Sequence, residues 1–119
     1  MIKIDKRTYI NKESYFKLQL NSIVTPQGDT VDLNEVKLIF DFRDKLNNSY
    51  KAIYSPTASE CENVVYDSES NKLTILFQDY NLAQGQLSCQ IGTMTADDDF
   101  EDKEWQFFGD REQINIILK

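Results

Sequence analysis

Apolar and polar residues alternate with a period of two along most of this chain, and turn-forming clusters separate the alternating runs. Tyr15-Phe-Lys-Leu-Gln-Leu places Phe16, Leu18 and Leu20 on one face of a strand. Thr25-Pro-Gln-Gly-Asp is a turn signal, with proline presetting one dihedral and glycine relieving the exit. Val36, Leu38, Phe40 and Phe42 then share one face of a longer strand, with Lys37, Asp41 and Arg43 on the other, interrupted by Ile39. Asn47-Asn48-Ser49 turns the chain back into Tyr50-Lys-Ala-Ile-Tyr, the outline of a hairpin.

A second hairpin is expected from Val64-Val-Tyr and Leu73-Thr-Ile-Leu-Phe, which flank the turn Asp67-Ser-Glu-Ser-Asn, with Leu73, Ile75 and Phe77 facing the core. Leu87, Cys89 and Ile91 repeat the rule. Trp105-Gln-Phe-Phe and Gln113-Ile-Asn-Ile-Ile-Leu, joined by Gly109-Asp110-Arg111, predict a third antiparallel pair. Leu33-Asn-Glu-Val-Lys-Leu is the best helical candidate and loses to the β-rich sequence after it. The expected fold is all-β, an antiparallel β-sandwich of about eight strands, immunoglobulin-like or jelly-roll-like. Without a Pro- or Gly-rich linker or an internal repeat, residues 1–119 are expected to form a single domain that ends on its last strand.

Composition agrees with a packed domain: 40% of the residues are hydrophobic and 12% aromatic. A net charge of −7, from 20 acids against 13 bases, disfavours phosphate backbones and anionic lipid as partners. Solubility is the plainer meaning of that charge. No run is apolar enough for a transmembrane helix, and the first residues carry no apolar signal region, which points to synthesis in a cytoplasm. Cys61 and Cys89 lack the close spacing of a redox pair and have no histidine to complete a zinc site; two mostly buried thiols are expected rather than a disulfide.

Chemistry has few footholds. Histidine is absent, which removes the commonest general base, and Gly28, Gly85, Gly92 and Gly109 stand singly rather than in a phosphate loop. Catalytic residues are therefore not assigned. The run from Asp97 to Glu104 offers Asp97, Asp98, Asp99, Glu101 and Asp102 as oxygen ligands for calcium. It fails the EF-hand pattern, because Asp102 and Phe108 stand where glycine and glutamate would be required. A solvated acidic loop anchored by Phe100 is the plainer expectation. Adjacent aspartates also fail to define the fixed carboxylate separation of a glycoside hydrolase. Trp105 and Tyr80, with Tyr50, Tyr54 and Tyr66, could stack sugar rings as in a carbohydrate-binding module, although such residues more often fill strand cores. Ile114, Ile116 and Ile117 make the last strand apolar on both faces, which marks it as a candidate assembly edge.

The order of segments from about Val36 to Phe100 resembles a small β-sandwich domain of tail-, head- and baseplate-fibre proteins of tailed phages, especially crAss-like and related phages of gut bacteria. The resemblance begins with Leu38-Ile-Phe-Asp-Phe-Arg-Asp44, Tyr50-Lys-Ala52, Cys61 before the acidic turn at Asp67, and Leu82-Ala-Gln-Gly-Gln-Leu-Ser-Cys89 after the strand Leu73 to Phe77. The element Asp98-Asp-Phe-Glu-Asp102 closes it. The resemblance covers roughly half of the chain. It implies a virion structural role without enzymatic activity, as an adaptor, fibre-base or decoration module. It also implies docking onto other virion structural proteins and homo-oligomeric assembly as a trimer or ring. Relatives carry the module at the start of longer fibres, whereas this chain stops soon after it, so a bridging or decorating part is expected rather than a receptor-binding fibre.

Overall fold

The computed structural model describes residues 6–20, 33–34, 36–70, 72–94 and 105–119, with Met94 and 105–109 described through their backbone. Eight strands occur among these residues: β1 (Thr8–Ile10), β2 (Phe16–Leu20), β3 (Lys37–Arg43), β4 (Ser49–Tyr54), β5 (Val64–Asp67), β6 (Lys72–Phe77), β7 (Gly85–Met94) and β8 (Trp105–Leu118). They form two sheets. One has the order β1-β8-β7-β3-β4 and the other β2-β6-β5.

The hairpins β3–β4 and β5–β6 form where alternation predicts them. Leu38, Phe40 and Phe42 of β3 are fully buried, as are Leu73, Ile75 and Phe77 of β6, and these residues meet in one core with Leu87, Ile91, Ile114, Ile116 and Leu118. On β2, Leu20 is buried while Phe16 and Leu18 are half-buried and pack against the same core. The predicted turn at Thr25–Asp29 lies outside the described residues.

Two departures from the expected topology matter. Gly109-Asp110-Arg111 does not turn the chain. β8 runs unbroken for 14 residues against β7, and the turn-like residues are absorbed as a bulge. Glu112 pairs with Cys89 and Phe108 with Ile91, so Gly109, Asp110 and Arg111 stand opposite Gln90 alone. A second irregularity sets Ile114, Asn115 and Ile116 opposite Leu87 alone, and the side-chain amide of Gln86 donates to the Ile114 carbonyl at 3.0 Å. Each bulge inserts an even number of residues, so the inward phase of Ile114, Ile116 and Leu118 survives it.

The second departure is β1, which the sequence pattern does not mark. It pairs in parallel with the end of β8, Thr8 with Ile116 and Ile10 with Leu118, so the sheet is not wholly antiparallel. A pair so distant in sequence is not constrained by a hairpin and can take either direction.

The two sheets are joined along one side. After β4 and a short 3-10 turn (Ala58–Glu60), Ile53 and Glu62 exchange backbone hydrogen bonds of 2.8 and 2.9 Å. Asn63 then takes φ 58°, and its carbonyl accepts from Leu76 N–H at 2.8 Å, so the chain enters the second sheet as β5.

Candidate functional site

The only buried acidic side chains among the described residues are Asp41 and Asp44, both on or beside β3. Asp41 lies on the face of β3 opposite Phe40 and Phe42, between Lys51 of β4 and Gln90 of β7. Alternation leaves this position polar, and the fold leaves it 2% exposed. Its Oδ2 meets Nη2 of Arg111 at 2.8 Å and Nη2 of Arg43 at 3.1 Å. Arg111 Nη1 also donates to the Asp41 carbonyl at 2.8 Å and to Ser88 Oγ at 3.4 Å. Arg111 is the last residue of the bulge opposite Gln90, so the bulge sets its guanidinium to reach across β7 to β3. Asp41 Oδ1 and Arg43 Nε are buried and have no hydrogen-bond partner among the described residues.

Beside this cluster, burial pushes the Cys89 thiol up to about 12; Arg111 opposes the shift, and Asp41 and Glu112 add to it. A thiol held protonated is a poor nucleophile. Cys61 is the other free cysteine; its Sγ lies 3.3 Å from both the amide and the carbonyl of Ser55.

Asp44 organises the β3–β4 turn. Its Oδ1 accepts from the amides of Leu46 at 2.8 Å and Asn48 at 2.9 Å. Its Oδ2 accepts from Asn48 Nδ2 at 2.8 Å and from Ala83 N–H at 2.7 Å. Asn47, which takes φ 67°, is the residue type that tolerates the left-handed corner. Burial pushes the Asp44 carboxyl up, but the donors from Ala83, Asn48 and Leu46 together outweigh it and hold the group below the usual carboxylate range. The unfolded chain therefore takes up this proton first as the pH falls. The stabilisation is complete above about pH 4 and is lost as the pH drops through the lower, folded value. Asp44→Asn, which turns one acceptor into a donor facing donors, is expected to cost about 2–3 kcal/mol at pH 7. Urea unfolding at pH 7 and at pH 3 checks this, since the gap between wild type and variant must narrow at the lower pH. An equal gap at both would assign the loss to something other than the ionised carboxylate.

The tyrosines considered for sugar stacking are core elements. Tyr80 is 7% exposed, and its hydroxyl donates to the Ser14 carbonyl at 2.7 Å. Tyr50 packs with Phe77 at 5.0 Å, donates to the Leu76 carbonyl at 2.6 Å and accepts from Gln78 N–H at 3.1 Å. Tyr54 donates to the Leu33 carbonyl at 2.6 Å and meets Tyr66 edge-on at 5.5 Å. All four rings are buried or half-buried, and the phenol tips of Tyr50, Tyr54 and Tyr80 are satisfied by main chain. Tyr80 therefore offers no open platform, and the sugar-stacking expectation is corrected for it. Trp105 falls on the backbone-only start of β8, so its side chain lies outside what is described.

The expected assembly edge is covered by β1 within a single molecule. β8 lies between β1 and β7, and Ile114 and Ile116 are buried in the core at 4% and 2% exposure. Ile117 points to the opposite face and is half-buried. The apolar character of this strand thus comes from the sheet interior. Asp97, Asp98, Asp99, Glu101 and Asp102, the candidate calcium ligands, lie outside the described residues. Among the described residues no cluster of three or more His, Cys, Asp or Glu side chains could hold a metal, and no helix is long and apolar enough to cross a membrane.

Two open concavities mark the described surface. One, of about 470 Å³, is lined by Tyr54, Ser55, Pro56, Cys61 and Tyr66 among others. The other, of about 430 Å³, lies on the outer face of the three-stranded sheet between Lys17, Gln19, Val65, Thr74 and Leu76. In the first, Ser55 Oγ donates to Glu60 Oε2 at 2.9 Å, and the same carboxylate oxygen pairs with Lys37 Nζ at 2.6 Å. No protein-family model matches this chain, and no curated protein matches it significantly.

Proposed function

We propose that this chain is a non-enzymatic virion structural protein of a tailed phage or prophage, an adaptor, fibre-base or decoration module that acts through protein–protein contacts. The segment from Val36 to Phe100 supplies the resemblance behind this proposal, and the two-sheet, all-β frame is compatible with it. The observation that carries it is how the polar side chains are used. Asp41, Arg43 and Arg111 hold β3, β7 and β8 in register, Asp44 ties a turn to the start of β7, and three tyrosine hydroxyls clasp main chain from other segments. Such use suits a rigid part whose work is to keep its shape. The finer fold proposed is an immunoglobulin-like or jelly-roll-like sandwich, and the proposed location is the particle, after synthesis in the host cytoplasm. With Ile114 and Ile116 turned inward, the contact surface is proposed to use exposed apolar side chains such as Val65 and Leu46 instead.

Mass spectrometry of gradient-purified particles tests the proposal. The expected result is this chain at a fixed copy ratio to the major capsid protein, the ratio separating head, portal and tail positions. Absence from clean particles would overturn the virion assignment.

A further inference from the structure

Among the described residues the first strand is held by one edge ladder, by Ile10 against the core and by Lys119 Nζ over the Tyr9 ring at 5.3 Å, and it is connected by a strained hinge. β1 is three residues long, with Thr8 and Tyr9 exposed and Ile10 only half-buried against the core. It pairs in parallel with Ile116–Leu118, and two further hydrogen bonds extend the pairing, Lys119 N–H to the Ile10 carbonyl at 2.8 Å and Lys12 N–H to the Lys119 carbonyl at 3.1 Å. The chain then crosses to the other sheet through Asn11–Tyr15. Within this crossing Ser14 N–H closes on the Asn11 carbonyl at 3.0 Å, and Glu13 takes φ 74°, a left-handed conformation that a glutamate adopts at a cost. Beyond the turn the chain is fixed, because Tyr80 donates to the Ser14 carbonyl and Tyr15 donates to Asp79. A short strained hinge between a detachable strand and a fixed pivot is the arrangement that favours strand exchange.

We infer that β1 exchanges between copies: the Thr8–Ile10 strand of one molecule seats beside Ile116–Leu118 of a second, and the Lys12–Glu13 turn opens. The occupant is a second copy because the site already accepts this same segment within one chain, so complementarity of register and side chains is built in. Release of β1 bares the N–H and C=O groups of the β8 edge, which a strand of the same sequence satisfies in the same way. Opening the hinge lets Glu13 return to an extended conformation, which favours the exchanged form. From Ile10 to Ser14 the opened chain spans roughly 14 Å, which confines the two molecules to close contact. Reciprocal exchange gives a closed pair, and head-to-tail exchange gives a ring or a row.

The test uses the full chain with Tyr9→Cys and Ile117→Cys, a registered pair on the outward face of β1 and β8. The protein is refolded and oxidised over a concentration range reaching roughly 1 mM, the effective concentration of a short tether. Non-reducing gels separate intrachain from interchain crosslinks, and peptide mapping confirms that the two introduced positions are joined. The expected result is an interchain fraction that rises with concentration. Glu13→Gly, which relieves the φ 74° cost in the closed form, should lower the association constant by roughly tenfold per hinge. Glu13→Pro, whose ring forbids a positive φ, should raise it. Purely intrachain crosslinks at every concentration would overturn the inference, as would a dimer fraction indifferent to Glu13→Gly. The glycine variant decides the matter even where the proline variant does not fold.

Discussion

Phe77→Ala should lower the unfolding free energy by about 4 kcal/mol, in the middle of the range for deleting a buried aromatic ring. Phe77 is 1% exposed at the end of β6 and touches four other rings. It stacks on Phe16 at 4.3 Å and on Tyr50 at 5.0 Å, and it meets Phe42 at 4.8 Å and Tyr80 at 6.2 Å edge-on. Phe42 and Tyr50 belong to the five-stranded sheet and Phe16 to the three-stranded one, so this ring is where the two sheets meet. The neighbours have little freedom to close over a gap, because the hydroxyls of Tyr50 and Tyr80 are bound to the carbonyls of Leu76 and Ser14. A rigid lining leaves the cavity open, and the open cavity is what raises the cost. At a slope of roughly 2 kcal/mol per molar urea the midpoint should fall by about 2 M. Phe77→Leu, which fills part of the space, should lose about 1.5 kcal/mol. If both variants lost the same amount, the ring cluster would not be what joins the sheets.

The parts of the fold that were legible in the sequence are those whose partners lie nearby. Leu38, Phe40 and Phe42 alternate cleanly, and their hairpin partner begins at Ser49, so period and turn chemistry agree. The same holds for Tyr66 and Leu73 across the Asp67 turn, where Glu69 N–H and Ser70 Oγ bond the aspartate at 3.0 and 2.9 Å. Where local chemistry and long-range pairing disagree, the sequence misleads. Gly109-Asp110-Arg111 has the composition of a turn, yet β7 offers a partner along the whole of β8, and a bulge costs less than abandoning the ladder. β1 escapes notice because three residues beside Lys6 and Arg7 show no period, and its partner lies at the other end of the chain.

The candidate site was hidden for a related reason. Period two correctly puts Asp41 and Arg43 on the face opposite Phe40, but a polar face ordinarily means solvent. What buries Asp41 is the place of β3 between two strands of the sheet and a guanidinium 70 residues away, and neither has a local signature. The tyrosines were ambiguous because one side chain serves both a sugar platform and a core. Only the main-chain acceptors at Leu33, Leu76 and Ser14 decide between them. The turn at Asp44 came closest to being readable, since an aspartate opening a turn rich in asparagine is a common way of satisfying free amides.

Arg111→Ala should cost about 3 kcal/mol, because it leaves Asp41 buried with its better partner gone. The loss includes the 2.8 Å pair to Oδ2 and the 2.8 Å bond to the Asp41 carbonyl, made by a side chain 24% exposed to an aspartate only 2% exposed. Arg43 remains at 3.1 Å and keeps the cost near the lower end for a broken buried pair, although its own side chain is also engaged by Asn47 Oδ1 at 3.0 Å. The double change Asp41→Leu with Arg111→Met should recover much of the loss, since two apolar side chains of similar size carry no desolvation cost. A double-mutant cycle with Asp41→Ala and Arg111→Ala should give a coupling of about 2 kcal/mol, far above that of an exposed ion pair. Coupling under about 0.5 kcal/mol would mean that the bulge, and not the charge, positions β8. The distinction bears on what the cluster is for. A pair that can be replaced by Leu and Met without loss of stability does not exist to add stability. Its use would then be to reject other registers of the long strand, because a slip by one residue carries Arg111 to the wrong face and leaves Asp41 buried with only Arg43 for company.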